Sequence, residues 1–136
     1  MIYKNNFQAE TQLKLSPFFE RTSKLNESQE WRRWSGYLSA TNYELTHENE
    51  YFAIRTKAAL LDISPLYKYI IEGPDAQEYL HQLVTRNINI CKVGQVMYTP
   101  WCDEDGKVID DGTVQRLSDQ KFRITSAEPN LEWLEY

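Results

Sequence analysis

Polar and apolar positions recur along the chain with changing period, and the changes mark its elements. From His47 or Glu48 to about Ala59 the period is helical: Phe52, Ala53, Thr56, Ala59 and Leu60 fall on one stripe, widened by Tyr51, Ile54 and Ala58. Pro65 disfavours helix through Ser64. Tyr67 to Glu72 is aromatic and β-branched and reads as a strand ending at Gly73. Gly73-Pro74-Asp75 then opens a second helix, with Pro74 at its first position and Asp75 at the positive end of its dipole. Ala76, Tyr79, Leu80, Leu83 and Val84 give this helix the clearest amphipathic period in the chain.

After Asn87 the period changes. Val96 to Cys102 reads as a strand, and Asp103-Glu104-Asp105-Gly106 as a hairpin turn. Lys107 to Arg116 is the return strand, interrupted at Asp110, Asp111 and Gly112. Leu117 to Gln120 is a turn, and Lys121 to Ser126 a third strand. Leu131, Trp133 and Leu134 begin a helical pattern at Pro129 that falls short of the roughly 12 residues at which an isolated helix becomes marginal. It reads as the opening of a longer helix in a longer protein.

Residues 1–30 are polar and irregular, an arm expected to lie on a larger surface or to be partly disordered. Within it, Ser16-Pro17 is placed to open a short helical turn. Trp31-Arg32-Arg33-Trp34-Ser35-Gly36-Tyr37 has two readings: rings that stack on a base or a pterin, or a half-buried aromatic anchor with its arginines in solvent. Consecutive strands joined by short turns predict an α+β fold, an antiparallel sheet with helices on one face. The expected division is an arm over 1–45 and a folded domain over 46–136.

Composition narrows the function. At 136 residues, 41% hydrophobic and 26% charged, the chain suits one domain. A net charge of -5, with Lys4, Lys14 and Lys24 scattered, gives no reason to expect a nucleic-acid or anionic-membrane partner. No run of about 18 apolar residues predicts a membrane span, and no apolar signal region follows Met1. Cys91 and Cys102 fit no zinc spacing, so the expected setting is cytoplasmic, with both thiols reduced.

Adjacent acids at Asp110-Asp111, before Gly112, are the strongest local chemical feature. Neighbouring strand side chains face opposite ways, so one carboxylate meets solvent and the other the interior or a cleft. Gly112 removes a side chain where a ligand could approach. Either one carboxylate is poised over a bound nitrogen base, or both are exposed edge charges that block aggregation. A calcium loop ending at Gly106 would need an acid at Trp101, so a metal is not expected. His47 and His81 read as surface helix residues. Ser64, Ser126, Cys91 and Cys102 lack a local base-bearing motif, and no glycine-rich phosphate loop is present.

Five segments, in order, carry a family resemblance. They are Glu50-Tyr51-Phe52-Ala53-Ile54-Arg55, Ala59-Leu60-Leu61-Asp62-Ile63-Ser64, Gly73-Pro74-Asp75-Ala76 with Tyr79-Leu80, Gly94-Gln95-Val96-Met97-Tyr98-Thr99, and Asp105-Gly106-Lys107-Val108-Ile109-Asp110-Asp111. Together, over 51–136, they resemble the N-terminal part of the glycine-cleavage T-protein (aminomethyltransferase) family, whose relatives include folate-dependent demethylases. The resemblance implies the first half of a two-half folate-binding domain and tetrahydrofolate as the one-carbon acceptor. It implies Asp111 beside the folate N5 as the catalytic and binding carboxylate, and Tyr98 lining the folate pocket. It aligns Ser126 with an asparagine usual in the third strand, as a further folate-binding position.

Four positions depart from the family pattern: Pro65-Leu66 replaces a usual His-Met, Gly112 a hydrophobic residue, and Ser126 the asparagine. They suit a relative acting on another N-, O- or S-methylated small molecule. The implied partners are a small one-carbon donor and, for a true T-protein, a lipoyl carrier protein. The rival expectations are a non-catalytic folate-binding module of the iron–sulfur maintenance type, and an inactive half-domain. An isolated half is expected to bind folate weakly or not at all, and to pair with a copy of itself as a homodimer.

Overall fold

The computed structural model describes residues 13–135, which form two compact units meeting in sequence at Pro65 and Leu66. The expected division after residue 45 therefore falls inside the first unit. Glu50 is the physical reason, because its Oε1 accepts the Tyr43 N–H at 2.5 Å and the Glu44 N–H at 3.2 Å, tying the following helix to the segment before it.

The first unit opens with helix α1 (Phe19–Thr22), as the Ser16-Pro17 pair predicts. Ser16 Oγ accepts the Phe18 N–H and Ser16 O accepts the Phe19 N–H, so the turn that starts at proline is closed by serine. Strands β1 (Trp31–Trp34) and β2 (Tyr37–Ala40) then form a hairpin not expected from the sequence. Its turn residues Ser35 and Gly36 both have positive φ, 46° and 82°, which matches the twist of a two-residue hairpin. Trp31 and Trp34 are half-buried while Arg32 and Arg33 are exposed, which is the anchor arrangement. Phe19 packs on Trp31, with ring centroids 5.2 Å apart. Residues 1–12 of the expected arm lie outside the described residues.

Helix α2 (Glu48–Thr56) stops three residues before the expected end at Ala59. Thr56 Oγ1 donates back to Phe52 O at 2.7 Å, a local bond that competes with helix continuation. Tyr51, Phe52 and Ile54 are each more than half exposed, so tertiary packing adds little to hold another turn.

The second unit is an α+β layer. Strands β3 (Tyr67–Glu72), β4 (Val96–Cys102), β5 (Val108–Ser118) and β6 (Lys121–Ser126) form an antiparallel sheet in the order β3-β6-β5-β4. Helix α3 (Ala76–Leu83) packs on one face. Gly73 ends β3 with φ 146°, and the Ala76 N–H donates to Gly73 O at 3.2 Å, so Pro74 and Asp75 form the turn that precedes the helix rather than its first turn. Ala76, Leu80 and Val84 are buried at the predicted spacing, against Met97, Val114, Phe122 and Ile124. Ile88, in a 3-10 turn over Ile88–Ile90, completes this core. Each large side chain buried here stabilises the fold by about 1.5–3 kcal/mol relative to exposure.

Strand β5 runs unbroken through Asp110, Asp111 and Gly112, correcting the expected interruption. It also extends through Leu117 to Ser118, with an irregularity in the register after Arg116. Alternation explains the continuity: Asp110 and Gly112 share the core-facing side with buried Val114, while Asp111 lies on the other. Helix α4 (Leu131–Leu134) closes the unit, with Leu134 in the core.

Candidate functional site

The face of the sheet opposite α3 carries the site. On β4 the burial alternates, with Met97, Thr99 and Trp101 inside and Val96 and Tyr98 outside. The register pairs Tyr98 with Thr113 and Pro100 with Asp111. Tyr98 and Asp111 are therefore diagonal neighbours on the outer face, a separation a phenol can span. The Tyr98 hydroxyl donates to Asp111 Oδ2 at 2.7 Å. This bond, with smaller contributions from burial and from the nearby negative charge, holds the Tyr98 phenol above its usual pKa. The tyrosine is thus a fixed donor that sets the Asp111 rotamer from one side.

The structure separates the three residues singled out from the sequence. Tyr98 and Asp111 come together on the exposed face, while Ser126 lies on the core side and is buried. Ser126 Oγ donates to Glu128 O at 3.0 Å and accepts from Asn130 Nδ2 at 3.2 Å. Asp110 shares that side, and its Oδ2 accepts from Asn130 Nδ2 at 2.7 Å. Sequence reasoning missed Asn130; the only available signal was a polar residue just ahead of an apolar helical pattern.

Gly112 also has a different role from the one expected. A Cβ built there would stand 2.1 Å from the Thr125 carbonyl oxygen and 3.2 Å from the Trp101 ring. The missing side chain lets two strands and a tryptophan approach one another, and leaves no opening for a ligand.

A small cleft of about 130 Å³ lies wholly within the first unit, beside Trp31, Trp34 and Leu38. Tyr98 and Asp111 form instead an open shelf, an aromatic ring 59% exposed beside a charged acceptor. A ring face with an adjacent carboxylate can stack a flat heterocycle and accept a hydrogen bond from one of its N–H groups.

Comparison with known proteins identifies the family. Residues 18–135 match the model of the GCVT N-terminal domain family. The chain is 35% identical over 121 residues to an aminomethyltransferase of Halothermothrix orenii, covering 88% of this chain and 33% of that protein. It is 43% identical over 86 residues to a trimethylamine-oxide aldolase of Ruegeria pomeroyi, covering 62% of this chain and 11% of that protein. The crystal structure of glycine cleavage system aminomethyltransferase T from Bartonella henselae superposes with a TM-score of 0.77 at 27% identity, covering 90% of this chain and 35% of that one. The chain thus spans about a third of the length of the aminomethyltransferases it matches.

Proposed function

Since the chain belongs to the GCVT N-terminal domain family, as the match over 18–135 shows, we propose that Tyr98 and Asp111 form one wall of a tetrahydrofolate site in a one-carbon transferase. The observation that carries this reading is the 2.7 Å bond between the two on the open face of the sheet. The pair fits a reduced pterin, because the Tyr98 ring offers a flat apolar surface and the Asp111 carboxylate offers an acceptor at its edge. Tetrahydrofolate supplies, when bound, the nitrogen that takes up the one-carbon unit. Asp111 orients that nitrogen through its N–H, accepts the proton as general base and offsets positive charge that develops nearby. Tyr98 keeps the carboxylate in one rotamer while this happens.

The donor in this proposal is a small N-methylated amine oxide. The relative named for trimethylamine oxide, at 43% identity, supports that class over an aminomethyl group on a lipoyl carrier. The deciding experiment is one-carbon transfer to tetrahydrofolate by the complete protein, offered trimethylamine oxide or an aminomethylated lipoyl carrier in turn. Transfer from the amine oxide that collapses in Asp111→Asn supports the proposal. Folate binding without transfer from either donor would instead identify a non-catalytic binding module.

A further inference from the structure

We propose that Asp110 is the positioning residue for Asp111, clamping the backbone at 111 and the 127–130 connection into one rigid unit. The proposal rests on the reading of Asp111 as the site carboxylate.

The ladder itself creates the need for such a clamp. Pairing between β5 and β6 ends at Gly112 and Ser126, one residue short of Asp111. On the other side Asp111 stands opposite Pro100, whose carbonyl points away and accepts the Thr85 N–H instead. The side chain of Asp110 fills the gap left by β6. Its Oδ1 accepts the Asp111 N–H at 2.8 Å. Its Oδ2 accepts Asn130 Nδ2 at 2.7 Å and the Glu128 N–H at 3.4 Å. Asn130 is only 5% exposed and is held in turn, its N–H donating to Tyr69 Oη at 2.8 Å.

Three N–H donors thus converge on the two oxygens of one side chain. A carboxylate accepts all three, whereas an amide would turn its own NH₂ toward a donor. Asp111 is consequently fixed at two points, its backbone N–H by Asp110 and its carboxylate by Tyr98. Proton transfer and alignment at a reacting nitrogen depend on placement at the ångström scale, so the core-facing acid sets the geometry of the outward-facing one.

The test is a pH titration of the chain by ¹³Cζ-tyrosine NMR, with the Tyr98 signal assigned by its loss in Tyr98→Phe. In Asp111→Asn the Tyr98 midpoint should fall most of the way toward that of an unperturbed tyrosine, and Asp110→Asn should lower it too. Tyr69→Phe loosens the same connection through Asn130 without touching Asp110, and should leave the midpoint in place. An unchanged midpoint in Asp110→Asn overturns the proposal, as does an equal fall in Tyr69→Phe. Should Asp110→Asn fail to fold, Asp110→Glu decides in the same way, since it keeps both oxygens but displaces them by one methylene. The titration involves no folate. If Asp111→Asn transfers one-carbon units normally, the functional reading falls while this result stands.

Discussion

Gly112 pairs with Ser126 across the β5–β6 ladder, so close to the neighbouring strand that a single added methyl would reach 2.1 Å from the Thr125 carbonyl oxygen. The obstacle is backbone, which cannot rotate aside as a flexible side chain would. Gly112→Ala should therefore force β5 away from β6 and destabilise the second unit by about 1–3 kcal/mol, in the range of overpacked cores. Chemical denaturation followed by Trp101 fluorescence measures this. A midpoint equal to that of the native chain would mean that the strands separate without cost.

Asp111→Asn should lower one-carbon transfer in the complete protein by roughly 10²-fold or more, the scale of a lost acid–base group. Tyr98→Phe removes only the bond that fixes the carboxylate's rotamer, and should lower transfer by less. Steady-state rates for both variants at saturating tetrahydrofolate check the order. A larger loss in Tyr98→Phe would reverse the assigned roles.

Alkaline pH should weaken the attachment of α4. The Tyr79 hydroxyl donates to Leu134 O, and burial raises its pKa. A phenol whose folded pKa lies above the unfolded value contributes stability that is complete below about pH 10 and is lost as pH rises through the folded pKa. Tyr79→Phe should cost about 0.5–1.5 kcal/mol at neutral pH, as for one hydrogen bond, and should reduce the fall in stability on the alkaline side. Melting temperatures of both chains on either side of that pH test the sign. A native chain that gains stability with alkalinity would contradict it.

The apolar residues around α2 give the isolated chain a reason to self-associate. Phe52 is 58% and Ile54 66% exposed, and Leu60 and Leu61 are more exposed still. Exposed apolar groups clustered in one segment favour association. Light scattering at micromolar concentration should show a homodimer, and Phe52→Glu with Ile54→Glu should shift it toward monomer. A native chain that stays monomeric at every concentration would reject the pairing.

Periodicity in the sequence already specified β3, β4 and β6 to the residue, because their apolar and β-branched runs are bounded by turn signals at Gly73, Gly106 and Asp119-Gln120. It also specified the buried stripe of α3, where Ala76, Leu80 and Val84 fall one helical turn apart. The β1–β2 hairpin escaped because its strands are four residues each and its Ser35-Gly36 turn is a weak signal beside Asp105-Gly106. The end of α2 escaped because local bonding by Thr56 competed with a periodic pattern that packing did not reward.

Chain order alone thus determined the antiparallel α+β plan, while the family resemblance singles out Tyr98 and Asp111 without placing them in contact. Tertiary structure decided which of two adjacent acids faces outward, what occupies the space over Gly112, and that Ser126 bonds inward with Asn130. Alternation guarantees that Asp110 and Asp111 point opposite ways, but only the cross-strand register and the side covered by α3 choose between them. That choice depends on contacts between residues far apart in sequence, and local periodicity carries no record of them.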